Sequence, residues 1–197
     1  LHDALPICIV CSGECRGRQH TYALLDERVP PTPELTKEEA LARLATAYFR
    51  SHAPATLQDF SWWSGLPLTE ARQSISLIEP KLMSEQWNSQ TWYIHDSCRT
   101  SGKATGNLHL LPPYDEYLIG YKDRTDVLPK EDYSKAFTNN GLFFPVLLYK
   151  GHVVGNWNKA SKKKEIFPEH SLFRKDICLK EELLNQAKEK YVRFLTH

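Results

Sequence analysis

The spacing of apolar and polar residues predicts three short helices between residues 36 and 78. Thr36 and Glu39 have the spacing of a capping box, which satisfies free backbone donors at a helix start. Thr56 is placed to cap a second helix and Gly65 to end it. Helices joined by tight turns in this way are typical of a helix-turn-helix. The predicted inward positions are Leu41, Leu44, Ala45, Tyr48, Leu57, Phe60, Leu68, Ala71, Ile75 and Ile78.

Extended segments are predicted on both sides of these helices. Residues from about Ile7 to Val29 have the pattern of a β-hairpin with a polar turn at 12–18. A second hairpin is predicted at 81–94, with its tip at Trp87-Asn88-Ser89-Gln90. The order helix, helix, helix, hairpin is that of a winged helix. Later strands are predicted at 143–149 and 152–157, then a turn at 160–164 and a strand from 165. A last helix, at about 179–195, is predicted to bury Leu183, Leu184, Ala187, Tyr191 and Phe194.

The stretch Leu110–Arg124 combines the end of a strand with a short helix. Pro112 fixes its own φ and keeps Leu111 extended, so a strand is predicted to stop there. Asp115 stands at the N-cap position of the helix that follows. It would act as a catalytic carboxylate only beside a group that tunes its pKa, and the sequence offers no evident partner. We therefore interpret Asp115 as structural.

Prolines and a polar linker predict the domain organisation. The prolines between residues 30 and 33 form a stiff connector, and residues 96–106 are polar. Residues 1–30 are predicted to be a vector-like start plus the remnant hairpin of a preceding unit, so the chain is expected to be a fragment. Residues 31–96 are predicted to form a winged helix, and 97–197 a sheet-rich, winged-helix-like unit with a C-terminal helix. The predicted fold class is α+β with tandem winged-helix units.

Composition and charge exclude only a few classes of protein. The net charge of +1 neither favours nor excludes nucleic acid, because local patches bind phosphate. No apolar run approaches the roughly 18 residues of a membrane span, and no signal peptide is visible, so a cytoplasmic protein is expected. Cys8, Cys11 and Cys15 are clustered, with His20 or Cys98 as a possible fourth metal ligand. Reduced thiols are the favoured interpretation, and neither a metal nor a small-molecule cofactor is predicted.

Candidate DNA contacts are basic or polar residues that we expect to be exposed. The third helix should present Arg72 and Gln73, which can bond base edges, but Glu70 beside them repels phosphate, so a domain-packing face is the alternative. The lysines at 159–164 end a β-ribbon, where backbone contact competes with a solvated turn. The candidates are Arg16, Arg18, Arg72, Gln73, Lys103, Lys122, Arg124, Lys162, Lys163 and Lys164.

Several segments resemble the winged-helix proteins related to the AlkZ/YcaQ DNA glycosylases. The segments are Ala55–Arg72, the Leu-Leu-Pro…Tyr-Asp…Gly-Tyr-Lys pattern within 110–122, and Gly-x-Val-Val-Gly-x-Trp at 151–157. The similarity runs over nearly the whole chain. It implies tandem winged-helix units and double-stranded DNA as the partner. It also implies a Gln-x-Gln or Gln-x-Asp motif that positions the catalytic water, and no such motif occurs in this chain.

We therefore predict a DNA-binding protein that mainly contacts the phosphate backbone, with no catalytic residue assigned in this chain. One alternative is a fragment of a DNA glycosylase for alkylated or crosslinked bases, whose catalytic unit lies upstream. A second is a protein-interaction module, which a large exposed apolar patch around Trp62, Trp63 or Trp87 would favour. Trp62 and Trp63 are adjacent, so one should enter the core and the other an interface or a base stack.

Overall fold

The structure, a computed structural model, describes residues 10–31, 33–98, 107–162 and 165–195, and their side chains outside 160–167. Its helices and antiparallel sheets confirm the predicted mixture of α and β structure. By its contacts the chain divides into two units, Leu1–Ala40 and Leu41–His197, which we describe separately. The division into three parts, at residues 30 and 96, stays a prediction.

The described helices are α1 (Leu25–Arg28), α2 (Lys37–Ser51), α3 (Leu57–Ser64), α4 (Leu68–Ile78), α5 (Glu116–Ile119), α6 (Tyr133–Ala136) and α7 (Glu181–Leu195). The described strands are β1 (Val10–Ser12), β2 (Tyr22–Leu24), β3 (Ala55–Thr56), β4 (Leu82–Trp87), β5 (Gln90–His95), β6 (Leu108–Leu111), β7 (Val146–Tyr149), β8 (His152–Lys162) and β9 (Glu165–Leu172).

The first unit contains the predicted hairpin and the predicted capping box. Strand β1 pairs antiparallel with β2. The second arm is shorter than predicted, because Leu25 begins the single turn of α1 instead of extending the strand. The Glu39 backbone N–H donates to the Thr36 hydroxyl at 3.2 Å, and the Glu39 carboxylate accepts from the Thr36 N–H at 2.9 Å. This reciprocal pair sets the start of α2 at Lys37.

Helix α3 of the second unit begins and ends where its caps predict. The Thr56 hydroxyl accepts from the Asp59 N–H, and the Asp59 carboxylate accepts from the Thr56 N–H, so α3 starts with a second capping box. Gly65 ends α3 at φ +71°, a left-handed conformation that glycine adopts without strain. α2, α3 and α4 share one core, made by Ala45, Tyr48, Phe49, Ala55, Phe60, Ala71, Ile75 and Ile78.

A three-stranded sheet in the order β3-β5-β4 accompanies these helices, with β3 between α2 and α3 in the chain. The tip of its hairpin is at the predicted position, and Asn88 and Ser89 have φ values of 49° and 61°. Two left-handed residues are what a two-residue type I′ turn requires. Strand β3 was not predicted. Its pairing with β5 ties the start of α3 to the hairpin.

A four-stranded antiparallel sheet, in the order β6-β7-β8-β9, also lies in the second unit. β6 stops before Pro112, as predicted. The turn predicted at 160–164 is wrong at its first positions, because 160–162 continue β8 and pair with β9 up to Lys162 opposite Glu165. Gly155 is required in β8, since a Cβ there would lie 2.2 Å from the Ser171 carbonyl oxygen.

Helix α7 packs on β6, and one of its predicted core residues lies outside the core. Its buried or half-buried positions end at Tyr191, whose ring meets Trp157 edge-on at 4.9 Å. Phe194 is 77% exposed because it lies beyond this contact. Among the helices of the described ranges, none has the length and apolar character needed to cross a bilayer.

Candidate nucleic-acid interface

Helix α4 presents Arg72 and Gln73 away from its buried stripe. Both residues are exposed, while Ala71 and Ser74 on either side of them are buried. Arg72 borders a cavity of about 330 Å³ between α4 and the hairpin strands. A guanidinium and an amide held side by side on a helix can bond phosphates or base edges. The exposure of this pair is as predicted.

The hairpin tip carries an exposed aromatic residue. Trp87 is 54% exposed, and its carbonyl accepts a hydrogen bond from the Trp92 indole N–H at 3.3 Å. The two rings lie 5.8 Å apart. Trp87 thus has a face free to stack while its backbone is fixed by its neighbour. The residues that line the cavity beside the tip, of about 500 Å³ and here named the hairpin-tip cleft, include Trp87, Trp92, Lys122, Asp123, Asp126 and Lys130.

Carboxylates offset the lysines of this cleft. Lys122 is exposed, and its backbone N–H donates to the Asp59 carboxylate at 2.9 Å. Hydrogen bonds from the Thr125 backbone and hydroxyl keep the pKa of Asp123 below its usual range. Asp59, Asp123 and Asp126 therefore place negative charge next to Lys122 and Lys130. The cleft joins an aromatic face to a nearly balanced set of charges.

Arg124 is not exposed, contrary to the expectation that made it a candidate. The residue is 9% exposed, and its guanidinium donates to the carbonyls of Leu118 and Lys122. It lies 5.4 Å from the ring centres of both Phe137 and Phe143. Burial lowers the pKa of the guanidinium. Charge alone suggested an exposed residue, whereas the backbone carbonyls of this bend required a buried donor.

The stretch around Gly120 is fixed to α2 by two tyrosines. The Tyr48 hydroxyl donates to the Gly120 carbonyl at 3.0 Å, and the Tyr121 hydroxyl donates to the His52 carbonyl at 2.8 Å. Burial raises the pKa of Tyr121 to about 12. Asp115 accepts from the Tyr117 N–H at 2.9 Å and caps α5, as its position in the sequence predicts. These bonds place Lys122 beside the hairpin tip.

Ser51, His52 and Glu116 form a hydrogen-bonded row that superficially resembles a hydrolase triad. The Ser51 oxygen lies 2.8 Å from His52 Nδ1, and His52 Nε2 lies 3.3 Å from Glu116 Oε2. The serine hydroxyl is also within hydrogen-bond distance of the Ala47 and Tyr48 carbonyls, at 2.8 and 3.2 Å. The His52 ring is buried and stacked on Tyr48 at 4.6 Å. This row joins α2 to α5.

The remaining candidates are divided between the first unit and segments outside the described residues. Arg16 and Arg18 are exposed at the hairpin turn of the first unit, where Arg16 and Gln19 form a β-bridge. Lys103, Lys163 and Lys164 lie outside the described residues. Lys162 is described only as the last backbone position of β8. The structure therefore brings Lys122 to the hairpin tip and leaves these lysines as predictions.

One of the two adjacent tryptophans packs against the core, as predicted. Trp63 packs against the core, 5.0 Å from the Tyr48 ring. Trp62 is 54% exposed, and its indole N–H donates to the Ile119 carbonyl at 3.3 Å. Among the described residues, no group of three or more metal-ligating side chains comes together. Cys15 and His20 are 3.9 Å apart, and Cys8 lies outside the described residues.

Comparison with known proteins identifies the family. The family model described as DNA glycosylase AlkZ-like matches residues 5–194. The chain belongs to the AlkZ-like DNA glycosylase family. The structure of Streptomyces sahachiroi DNA glycosylase AlkZ is similar to it, with a TM-score of 0.75 and 19% sequence identity. The match covers 91% of this chain and 50% of that protein, so the chain spans about half of its length. No curated protein sequence matches the chain at a significant level.

This membership agrees with the resemblance deduced from the sequence motifs, and the structural similarity supports a shared fold. Lys130, which lines the hairpin-tip cleft, was missed because no helix or strand was predicted for its segment. It begins a 3-10 helix, Lys130–Asp132. A proline at 129 followed by the acidic pair at 131 and 132 is a helix-start signal that could have located it.

Proposed function

We propose that this AlkZ-like chain binds double-stranded DNA, mainly through the phosphate backbone, by a winged helix at 31–96. The observation that carries the proposal is the exposed Arg72–Gln73 pair on α4, next to a hairpin with an exposed tip tryptophan. α4 would approach a groove and the hairpin would lie along the adjoining backbone. Family membership supports DNA as the partner.

Residues 97–197 would form a second, winged-helix-like unit that adds backbone contacts. Lys122 is exposed and accessible for this role. Lys103 and Lys162 to Lys164 are proposed on charge alone, as are Arg16 and Arg18 in the first unit. Arg124 is excluded from the contact set because its guanidinium is bound to carbonyls of its own chain. No cofactor is needed for binding of this kind.

The salt dependence of binding tests this proposal. Each phosphate contact releases counterions and contributes about 0.9 to the slope of log K against log salt. We expect the anisotropy of a labelled duplex to rise with protein at 50 mM salt, and affinity to fall steeply by 200 mM. An R72Q variant should lose about one phosphate contact, so its slope should be smaller by about 0.9. E181Q, on an exposed residue of α7, is the control. Failure to bind at low salt would refute DNA binding by this chain.

A second candidate is base excision, which family membership favours. In this proposal the complete protein removes an alkylated or crosslinked base, and its catalytic unit lies outside the present chain. The test is to incubate a duplex containing 7-methylguanine with this chain and with the complete gene product, and to measure the free base by mass spectrometry. Base release by the complete product alone is expected. Release by this chain would move catalysis into the residues described above.

A third candidate, a protein-interaction module, is favoured by the exposure of Trp62 and Trp87, each 54%. The two side chains do not form one patch by any contact between them in the described part of the chain. Two results together would favour this function over DNA binding. The anisotropy of the labelled duplex would not change with salt, and the wild-type chain would bind a partner protein that a W87A variant does not bind.

A further inference from the structure

A groove on α2 concentrates positive charge that the sequence candidates did not include. Arg43 and Arg50 are exposed on α2, and Lys81 is exposed at the end of the 3-10 helix Glu79–Lys81. Together they border a cavity of about 550 Å³, here named the α2 groove. Its floor consists of small or apolar residues that include Ala42, Thr46, Ala47, Leu77, Ile78 and Pro80.

The charge of the α2 groove is not offset by the residues that line it, and the exposed Glu79, between the lining residues Ile78 and Pro80, borders the cavity beside Arg72 instead. Its lining residues contain no aspartate or glutamate. Within the described part of the chain, no ion pair joins Arg43, Arg50 or Lys81 to a carboxylate. Asp96 donates its N–H to the Lys81 carbonyl. Its carboxylate lies 3.0 Å from His95 Nδ1. Three cations thus face solvent across one concave surface.

The α2 groove is separate from the proposed contact surface. It shares no lining residue with the hairpin-tip cleft or with the cavity beside Arg72. The last turn of α4 lies between the two surfaces, with Ser76 lining the cavity beside Arg72 and Leu77 lining the α2 groove. A ligand in the groove would therefore be an addition to whatever α4 contacts.

We propose that the α2 groove is a second phosphodiester-binding site, which holds a backbone segment of DNA through Arg43, Arg50 and Lys81. This inference rests on the DNA binding proposed above. The two arginines are seven residues apart, or about 10.5 Å along the helix axis. One strand of a duplex presents about three phosphates over that length. Arginine forks bond phosphate oxygens in pairs, and the apolar floor suits the sugar faces between them.

Nucleic acid fits the groove better than an acidic peptide. Arg43 and Arg50 are spaced along the axis of α2, which matches the regular repeat of a backbone, and Lys81 on the 3-10 helix borders the same cavity. Two separate backbone sites on one small unit would let the protein hold a bent duplex or two neighbouring segments. Sites that act together in this way should give a steeper salt dependence than α4 alone provides.

The first experiment uses charge-neutral variants of the full chain. The variant R43Q/R50Q/K81Q keeps most of the side-chain length and removes three charges. Its matched control, K175Q/K180Q/K190Q, removes three exposed lysines elsewhere in the second unit. We expect the groove variant to lower the salt slope by about 2.7 and to weaken duplex binding at least tenfold at 0.1 M salt. The control should change the slope far less.

The outcomes separate this inference from the function on which it rests. Unchanged slope in the groove variant, with normal binding by the wild type, overturns the second site and leaves DNA binding by α4 standing. Failure of the wild type to bind any duplex overturns both. Loss of polyglutamate binding without loss of DNA binding in the groove variant assigns the groove to an acidic peptide and overturns the inference.

A second measurement needs no variant. Lysines of the wild-type chain are acetylated with and without saturating duplex, and the modified residues are quantified by mass spectrometry. Lys81 should be protected at least fivefold by DNA, whereas Lys180 should react equally in both samples. Equal reaction of Lys81 with and without bound DNA would contradict the proposal, whatever the variants do.

Discussion

The hairpin-tip cleft and the α2 groove are similar in size, about 500 and 550 Å³, but they differ in charge. In the cleft, Lys122 and Lys130 share the surface with Asp59, Asp123 and Asp126. In the groove, two arginines and a lysine have no carboxylate among the lining residues. The candidate lysine found from the sequence therefore lies on the more balanced surface, and the stronger positive surface was found only in three dimensions.

The difference follows from what each carboxylate does for the fold. Asp59 completes the capping box of α3, and Asp123 accepts two hydrogen bonds from Thr125. Bends and helix starts need acceptors of this kind for their free N–H groups. Positions 43 and 50 lie within α2, where the backbone is already bonded, so no acidic residue is required beside them. The hydrogen-bond acceptors that the local backbone needs therefore decide how much negative charge each surface carries.

The largest effect on stability is expected from D59A, which removes a carboxylate of the cleft that the fold requires. Asp59 is buried, caps α3 and accepts the Lys122 N–H. We expect a loss of about 2–4 kcal/mol in the free energy of unfolding, measured by urea titration. D59N keeps the shape and one acceptor and should lose less. A loss below about 0.5 kcal/mol for D59A would show that this carboxylate is not structural.

The variants K122M and R124M compare an exposed and a buried basic residue that are two positions apart in the chain. R124M should destabilise folding by about 1–3 kcal/mol, since two carbonyls lose a buried donor, and leave the salt slope unchanged. K122M should leave stability nearly unchanged and lower the slope by about 0.9. Stability comes from urea unfolding and the slope from anisotropy below the unfolding transition. The opposite pattern would reverse the assignment of the two residues.

Tyr121 links α2 to the stretch that carries Lys122 and gives a pH test. Its pKa is raised to about 12, above the value of about 10 in an unfolded chain. Its contribution to stability is therefore complete below pH 10 and is lost as pH rises toward 12. Y121F should cost about 1 kcal/mol at neutral pH through the lost bond to the His52 carbonyl. It should also flatten the fall in stability between pH 10 and 12, measured by thermal unfolding. An equal fall in both proteins would contradict this link.

The smallest effect is expected from D126N, which makes the cleft more like the α2 groove. Removing one exposed carboxylate should raise duplex affinity about two- to threefold at 50 mM salt, and the gain should disappear by 0.5 M. D176N, at an exposed position in the connection before α7, is the matched control. Equal affinity for D126N and the wild type at low salt would place the cleft outside the DNA footprint.

Much of the fold was predictable because its signals are local. The capping box at Thr36, the N-cap at Thr56, the glycine end of α3 and the tip of the second hairpin were all found where the residue types predict them. The predictions that failed depend on contacts between residues far apart in the chain. Residues 160–162 extend β8 because β9 pairs with them, and Phe194 is exposed because the sheet contact of α7 ends at Tyr191.

The candidate site was predictable only in part. Arg72, Gln73 and Lys122 are exposed as expected, since each follows from helix phase or from a break in the apolar pattern. Arg124 has the same charge and lies two residues from Lys122, yet it is buried. No local pattern distinguishes the two. The aromatic rings and carbonyls that enclose Arg124 come from distant parts of the chain.

The sequence by itself determined the caps of α2 and α3, the tip of the second hairpin and the family, because caps, turn residues and motifs act over a few positions along the chain. Only the tertiary structure decided which charges face one another. Arg43, Arg50 and Lys81 are brought together by the packing of α2 against the end of α4, and Lys122 is brought to three carboxylates by the bonds at Gly120 and Tyr121. Electrostatic surfaces sum charges over space, whereas the sequence orders them only along the backbone.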